Sequence, residues 1–278
     1  AFILEVGCGT GLFGRSFLSE IKRSASDLYG TIHYTFFDLS TALMDSQREV
    51  NREHGEIVSF IQGNASAHDF AQATYDLIIS NEMIADLPVI KLSRNKKRRK
   101  GTEGEAWALV RRLGLDLDDA PPHFVLNIGA LRFLLNLSRA LKPGGKAYII
   151  EYGNPYTYPI SRFMTDHREY SIHFGHLLRG ARAFGLRGTL HILTDFLRFD
   201  PELEVLDSFS HTSLFNHLLP FLDIEAEAQR VYTRCMFSRS FSEVAQKVRN
   251  LAFVPLRSLK GIAYPDEFYV LKLLKETG

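Results

Sequence analysis

Two observations predict an α/β fold with a mostly parallel, seven-stranded sheet and helices on both faces. Strand-like apolar runs alternate with helix-like segments through the first half of the chain, and a glycine-rich turn joins the first run to the first helix. Strands are expected at 2–6, 32–37, 57–62, 77–80 and 147–151, with a last strand at 268–273. Between them, 12–22 and 41–52 suit helices, the second opened by Ser40, whose hydroxyl can accept an orphan backbone N–H. Residues 128–141 carry Leu131, Leu134, Leu135 and Leu141 at helical spacing. Lys142-Pro143-Gly144-Gly145 then stops that helix before the next apolar run. A further helical region is expected near 174–184.

At 278 residues the chain is read as one domain, 1–278, with insertions at about 88–125 and about 198–263. Hydrophobic residues at 45% and charged residues at 23% match a globular domain and exclude a disordered or fibrous one. The 33 Lys plus Arg against 32 Asp plus Glu give no global attraction to nucleic acid or to an anionic membrane. Seven of the ten residues 91–100 are basic, and such a run is expected to be a solvated loop because like charges resist packing. It leaves contact with an acidic partner or nucleic acid open locally. Cys8 and Cys235 offer no disulfide framework, so a reducing compartment is expected: the cytoplasm, or the mitochondrial matrix if a targeting peptide precedes Ala1. The apolar stretches 124–137 and 214–224 are too short and too polar to span a bilayer. Because a strand begins at Phe2, a preceding segment is expected to cover the sheet.

The chemistry should gather at the glycine turn. A strand that ends in glycines before a helix presents backbone N–H groups and a positive helix end to a polar or anionic ligand. Gly7 and Gly9-Thr10-Gly11-Leu12-Phe13-Gly14 satisfy this, although G-x-G-x-x-G alone does not choose between nucleotide cofactors. Three features favour S-adenosylmethionine over a nicotinamide. Glu5 lies two residues before Gly7, where its carboxylate can support the turn or meet the amino group of a methionine moiety. Asp38 and Leu39 end the second strand, where the carboxylate can take both ribose hydroxyls. Asn64 and Ala65 follow the third strand, where the Asn amide can pair with an adenine edge. Each of these alone is as readily a turn former. Asn81 and Glu82 come just past the fourth strand, at the edge where open α/β sheets bind ligands. Glu82 can face a methyl acceptor or act as an acid in a helix's first turn.

Several segments resemble the MidA family of methyltransferases, which includes the mitochondrial complex I assembly factor that methylates an arginine. Asn81-Glu82-Met83-Ile84-Ala85-Asp86-Leu87-Pro88-Val89 is similar to the family's Asn-Glu-x-x-Asp-Ala-Leu-Pro-Val. Phe37-Asp38-Leu39-Ser40 through Gln47-Arg48, the strand ending Glu151-Tyr152-Gly153, Tyr170-Ser171-Ile172-His173-Phe174, Thr194-Asp195-Phe196-Leu197 and Glu267-Phe268-Tyr269-Val270-Leu271 also resemble family segments, so the likeness covers nearly the whole chain. Two positions depart from it: the family's fourth-strand Asp falls on Ala85, with an acid displaced to Asp86, and its Asp-Tyr-Gly becomes Glu151-Tyr152-Gly153.

The resemblance implies a Rossmann-like class I methyltransferase fold, S-adenosylmethionine as cofactor and a protein substrate, with arginine as acceptor. A guanidinium is a poor nucleophile while protonated, so carboxylates must orient it. Glu82 is the first candidate and Glu151 the second, and His173 can accept the released proton, although a His at a helix start is more often a cap. Two other classes compete. One is a cofactor-binding assembly factor or scaffold with little or no turnover; the other is a nicotinamide oxidoreductase, for which no hydride-transfer residue is visible.

Overall fold

A computed structural model of the chain describes residues 1–94, 101–164, 167–219, 231–242, 244, 250–259 and 267–277. The strands are β1 Phe2–Val6, β2 His33–Asp38, β3 Val58–Gln62, β4 Tyr75–Asn81, β5 Ile90–Ser93, β6 His123–Leu126, β7 Leu141–Asn154, β8 Ser161–Phe163, β9 Arg168–Tyr170, β10 Ile172–His173, β11 Leu186–Ile192, β12 Glu204–Leu206, β13 Phe253–Pro255 and β14 Phe268–Lys275. The helices are α1 Leu12–Ser24, α2 Ser26–Tyr29, α3 Thr41–Val50, α4 Gly101–Arg112, α5 Ile128–Ala140, α6 Phe174–Ala183, α7 Leu193–Phe196, α8 Ser208–Ser213 and α9 Arg234–Ser240.

The main sheet runs β11-β14-β7-β4-β1-β2-β3, with β10 beside the end of β7. The path holds the seven strands expected, and β10, only two residues long, joins the edge of β7 as an eighth. Strands β1, β2, β3, β4 and β7 pair in parallel, and β14 runs antiparallel to β7. The chain order reverses between β1 and β4, which opens a crevice at their carboxyl ends.

Both faces of the sheet are buried. On one, Leu4, Val6, Ile78 and Ala147 pack with Leu131, Leu134 and Leu137 of α5. On the other, Ile3, Tyr34, Phe36 and Ile79 pack with Leu18 of α1. This is why β1, β2 and β4 read as continuous apolar runs instead of alternating ones. The Ser40 cap forms as expected, its Oγ accepting the Leu43 N–H at 3.3 Å. Helix α5 ends at Ala140 and β7 starts at once, and residues 142–145 are taken up as an irregularity between the pairs Tyr75–Leu141 and Leu77–Lys146.

Among its described residues the first insertion carries secondary structure of its own. Strands β5 and β6 pair antiparallel, and α4 buries Ala106, Trp107 and Val110. Most of the basic run falls on 95–100, outside the described residues.

The chain forms two compact units, Ala1–His191 with Phe268–Gly278, and Ile192–Glu267. The second unit takes in the expected insertion at about 198–263 and has its own apolar cluster. That cluster joins Leu206 and Leu214 with Tyr232, Phe237 and Phe241, beside the antiparallel β12–β13 pair. Among the described residues, no helix is long and apolar enough to cross a membrane.

Candidate active site

The carboxyl ends of β1, β2 and β4 surround a cavity of about 280 Å³. Gly7, Gly9, Asp38, Leu39, Asn64, Ala65 and Glu82 line it, so seven of the residues singled out in the sequence converge there. Glu5, Gly11, Asn81, Glu151 and His173 are not in its lining.

The turn has positive φ at Gly7, Gly9 and Gly11. At Gly7 any side chain would collide with Met83, which closes the turn against the chain after β4. At Gly9, φ is 52° and no protein atom lies within 4 Å of where a Cβ would stand. Packing therefore does not demand that glycine; the backbone conformation and the open cradle do. Two amides, Gln47 of α3 and Asn51 at its C-cap, hold the turn from behind. Gln47 Nε2 donates to the Gly9 carbonyl at 2.8 Å and to Asp38 Oδ2 at 3.4 Å. Asn51 Nδ2 donates to the Gly11 carbonyl at 3.1 Å. Both side chains are fully buried. Sequence reasoning missed these roles, although amides spaced i, i+4 on the helix after the second strand were there to be noticed.

Asp38 is buried at the cavity wall, with Oδ1 accepting the Ser40 N–H at 2.9 Å. A carboxylate has about four lone-pair directions, so two oxygens with one donor each keep capacity for ribose hydroxyls. Leu39 is 67% exposed and offers an apolar surface at the rim. Asn64 is partly committed: its Oδ1 accepts from the Ser66 N–H at 3.0 Å and the Ser66 hydroxyl at 2.8 Å, so its amide N–H groups are what it still offers a base. The open cradle at Gly9, the wall carboxylate and the apolar rim together fit a nucleoside with a charged tail.

Glu5 lies behind the turn. It accepts the Tyr34 hydroxyl at 2.7 Å beneath Gly14. Burial pushes its carboxyl up to about 7, opposed by the Tyr34 hydrogen bond and reinforced by Asp38. Cys8, in the turn, is buried with its Sγ at 3.1 Å from the Glu5 carbonyl, and burial raises its thiol far above the reactive range.

After β4, Glu82 takes φ 50°, a left-handed conformation that costs a non-glycine residue about 1–3 kcal/mol. The Asn81 amide reaches its Oε1 at 3.4 Å. Asp86, noted in the sequence only as a displaced acid, also lines the cavity, from the 3-10 turn Ile84–Asp86. Glu151 is buried behind that turn, accepting the Ala85 N–H at 3.1 Å and the Tyr152 N–H at 2.9 Å. Burial raises its carboxyl to about 7; the two N–H groups oppose this, and repulsion from Glu82 and Glu169 adds to it.

His173 lies elsewhere. Its Nδ1 accepts the His176 N–H at 3.3 Å as the cap of α6, and its ring stacks on His176 with centroids 3.7 Å apart. Burial lowers both imidazoles, His176 to about 3. The geometry thus corresponds to the cap reading and does not bring His173 to the cavity.

Residues 3–95 match the methyltransferase domain family. The chain's main sheet has the class I methyltransferase fold. S-adenosylmethionine is the cofactor of such domains, and the cavity stands where the matched segment places its strand ends. Among solved structures, one from Burkholderia thailandensis, a methyltransferase-like protein bound to S-adenosylhomocysteine, is 15% identical with a TM-score of 0.55, covering 100% of this chain and 72% of that one. An S-adenosylmethionine-dependent methyltransferase from Mesorhizobium loti is 12% identical, TM-score 0.47, covering 98% and 89%. Phosphoethanolamine N-methyltransferase 2 from Haemonchus contortus is 15% identical, TM-score 0.48, covering 99% and 49%. The first of these supports the fold. No curated protein matches the chain.

Proposed function

We propose that this methyltransferase acts on a nitrogen of a protein side chain, with an arginine guanidinium as acceptor, and that it belongs to the MidA family. The observation that carries the reading is the pair of carboxylates, Glu82 and Asp86, in the lining of the cavity. S-adenosylmethionine, when bound, supplies an electrophilic methyl on a sulfonium. The chain's own residues then have separate tasks. Asp38 takes the ribose hydroxyls, Leu39 and Ala65 flank the base, and Gly7 and Gly9 leave room for the methionine portion. Glu82 and Asp86 draw a cationic acceptor to the cavity and orient it, which is where most of the rate enhancement in a methyl transfer arises. Glu151 acts from behind as a positioning residue through the Ala85 N–H.

Incubation with label-carrying cofactor and a cell lysate, followed by mass spectrometry of labelled proteins, tests this. Methylarginine formed by the wild type and lost in Glu82→Gln is the expected result. Label on lipid or small molecules alone overturns the acceptor class. Tight cofactor binding with no labelled product favours a scaffold.

A further inference from the structure

The hairpin β8–β9 reaches the turn Ile84–Asp86 and sets His167 between two acids. Its Nε2 lies 3.1 Å from Asp86 Oδ1 and 3.1 Å from Glu169 Oε1. One donor atom from each of the three residues lies within 4.8 Å of the others. We propose that Asp86, His167 and Glu169 form a divalent metal site at the rim of the methyltransferase cavity, suited to Zn²⁺ or Mn²⁺.

Stoichiometry of protons and lone pairs motivates the proposal. A single ring nitrogen carries at most one hydrogen, so Nε2 can make one good hydrogen bond, yet two carboxylate oxygens stand at the same distance from it. A dication bonded to all three would take one lone pair from each. Ligands with bonds of about 2.1 Å at neighbouring positions of a tetrahedral or octahedral centre stand roughly 3–3.5 Å apart, which the two 3.1 Å separations match. The donor set narrows the ion. An imidazole with two carboxylates is too nitrogenous for Ca²⁺ and lacks the thiolates that select softer ions. Three protein ligands leave coordination positions open, as in catalytic centres. The side chains of His167 and Asp86 are 46% and 48% exposed, so an ion and its waters can enter. Asp86 belongs both to this cluster and to the cavity lining, so an ion here would take Asp86 from a cationic acceptor and leave Glu82 to orient it. The ligands also come from two separate elements, so the ion would pin the hairpin to the turn Ile84–Asp86.

Binding of the ion is measured without cofactor or acceptor, so the proposal stands or falls apart from the assigned reaction. The full chain, stripped with chelator, is titrated with Zn²⁺ alone by calorimetry and with Mn²⁺ alone by electron paramagnetic resonance. One equivalent of at least one of these ions is expected to bind. His167→Ala should weaken that binding 100-fold or more and Glu169→Gln at least 10-fold, with unchanged circular dichroism. His123→Ala, on the far exposed end of β6, should bind as the wild type does. Failure of the wild type to take up either ion overturns the site, as does wild-type affinity in His167→Ala. A His167 resonance that titrates as an imidazolium paired to the two acids, unmoved by either ion, also overturns it.

Discussion

Glu151 accepts the backbone N–H of Ala85 at 3.1 Å. These are the two positions at which the sequence departs from the pattern it resembles, and they touch. Ala85 has no polar side chain to orient its own turn, and the buried Glu151 carboxylate holds that turn by its backbone. The same carboxylate accepts from Tyr152 at 2.9 Å, so one buried group links the end of β7 to the cavity wall.

Glu151→Gln therefore tests the anchor. The amide keeps one acceptor oxygen but presents an N–H₂ group to the other backbone donor, and a buried donor left without an acceptor costs about 1–3 kcal/mol. Urea unfolding should show a loss in that range. Methyl transfer should fall while cofactor affinity stays near wild type, because Glu151 does not line the cavity. Full activity in this variant would show that the turn needs no anchor.

Glu82→Gln removes charge and keeps shape. Methyl transfer is expected to fall about 10²-fold, the scale of losing one electrostatic stabiliser, with S-adenosylmethionine affinity unchanged. Glu82→Gly adds a second reading, since glycine accepts the left-handed conformation without strain. Its thermal midpoint should not drop below that of the wild type although activity does. A clear drop would mean that the Glu82 side chain supports the fold.

Asp38→Ala and Gln47→Ala should both weaken cofactor binding, for different reasons. The first removes the carboxylate that takes ribose hydroxyls, where hydrogen bonds to a charged group contribute about 1.5–3 kcal/mol each. The second removes the donor that ties Gly9 to Asp38 and should have the smaller effect on affinity with the larger effect on stability. Calorimetry of the two variants against the wild type checks the order.

Stability should depend on pH through Glu5. Its carboxyl stands near 7 in the fold, above the ordinary value of 4.5, so between those values the folded chain holds more protons than the unfolded one. Stability then declines as pH rises from about 4.5 to about 7 and levels off above that. The difference corresponds to on the order of 3 kcal/mol. Denaturant unfolding at pH 5 and pH 8 should show the decline, and Glu5→Gln should reduce it, leaving the part due to Glu151. An equal slope in the variant would show that Glu5 titrates normally.

Local rules made much of this molecule legible. The glycine turn, the Ser40 cap and the apolar runs of β1, β2 and β4 follow from residue type and spacing, since backbone conformation and strand burial are decided within a few residues. The same spacing put Gly7, Gly9, Asp38, Leu39, Asn64, Ala65 and Glu82 at strand ends, and parallel strands with right-handed crossovers bring strand ends to one edge. Other roles depend on contacts between residues far apart in the chain, which no window of sequence contains. Glu151 meets Ala85 across 66 positions, Gln47 meets Gly9 across 38, and His167 meets Asp86 only because a hairpin folds back onto the turn Ile84–Asp86. His173 was separated from the cavity in the same way, since its ring faces the start of its own helix. The sequence by itself determined the strand order's building blocks and the cofactor edge; the tertiary structure decided which buried carboxyls hold that edge in place, because burial and distance set their charge and partners.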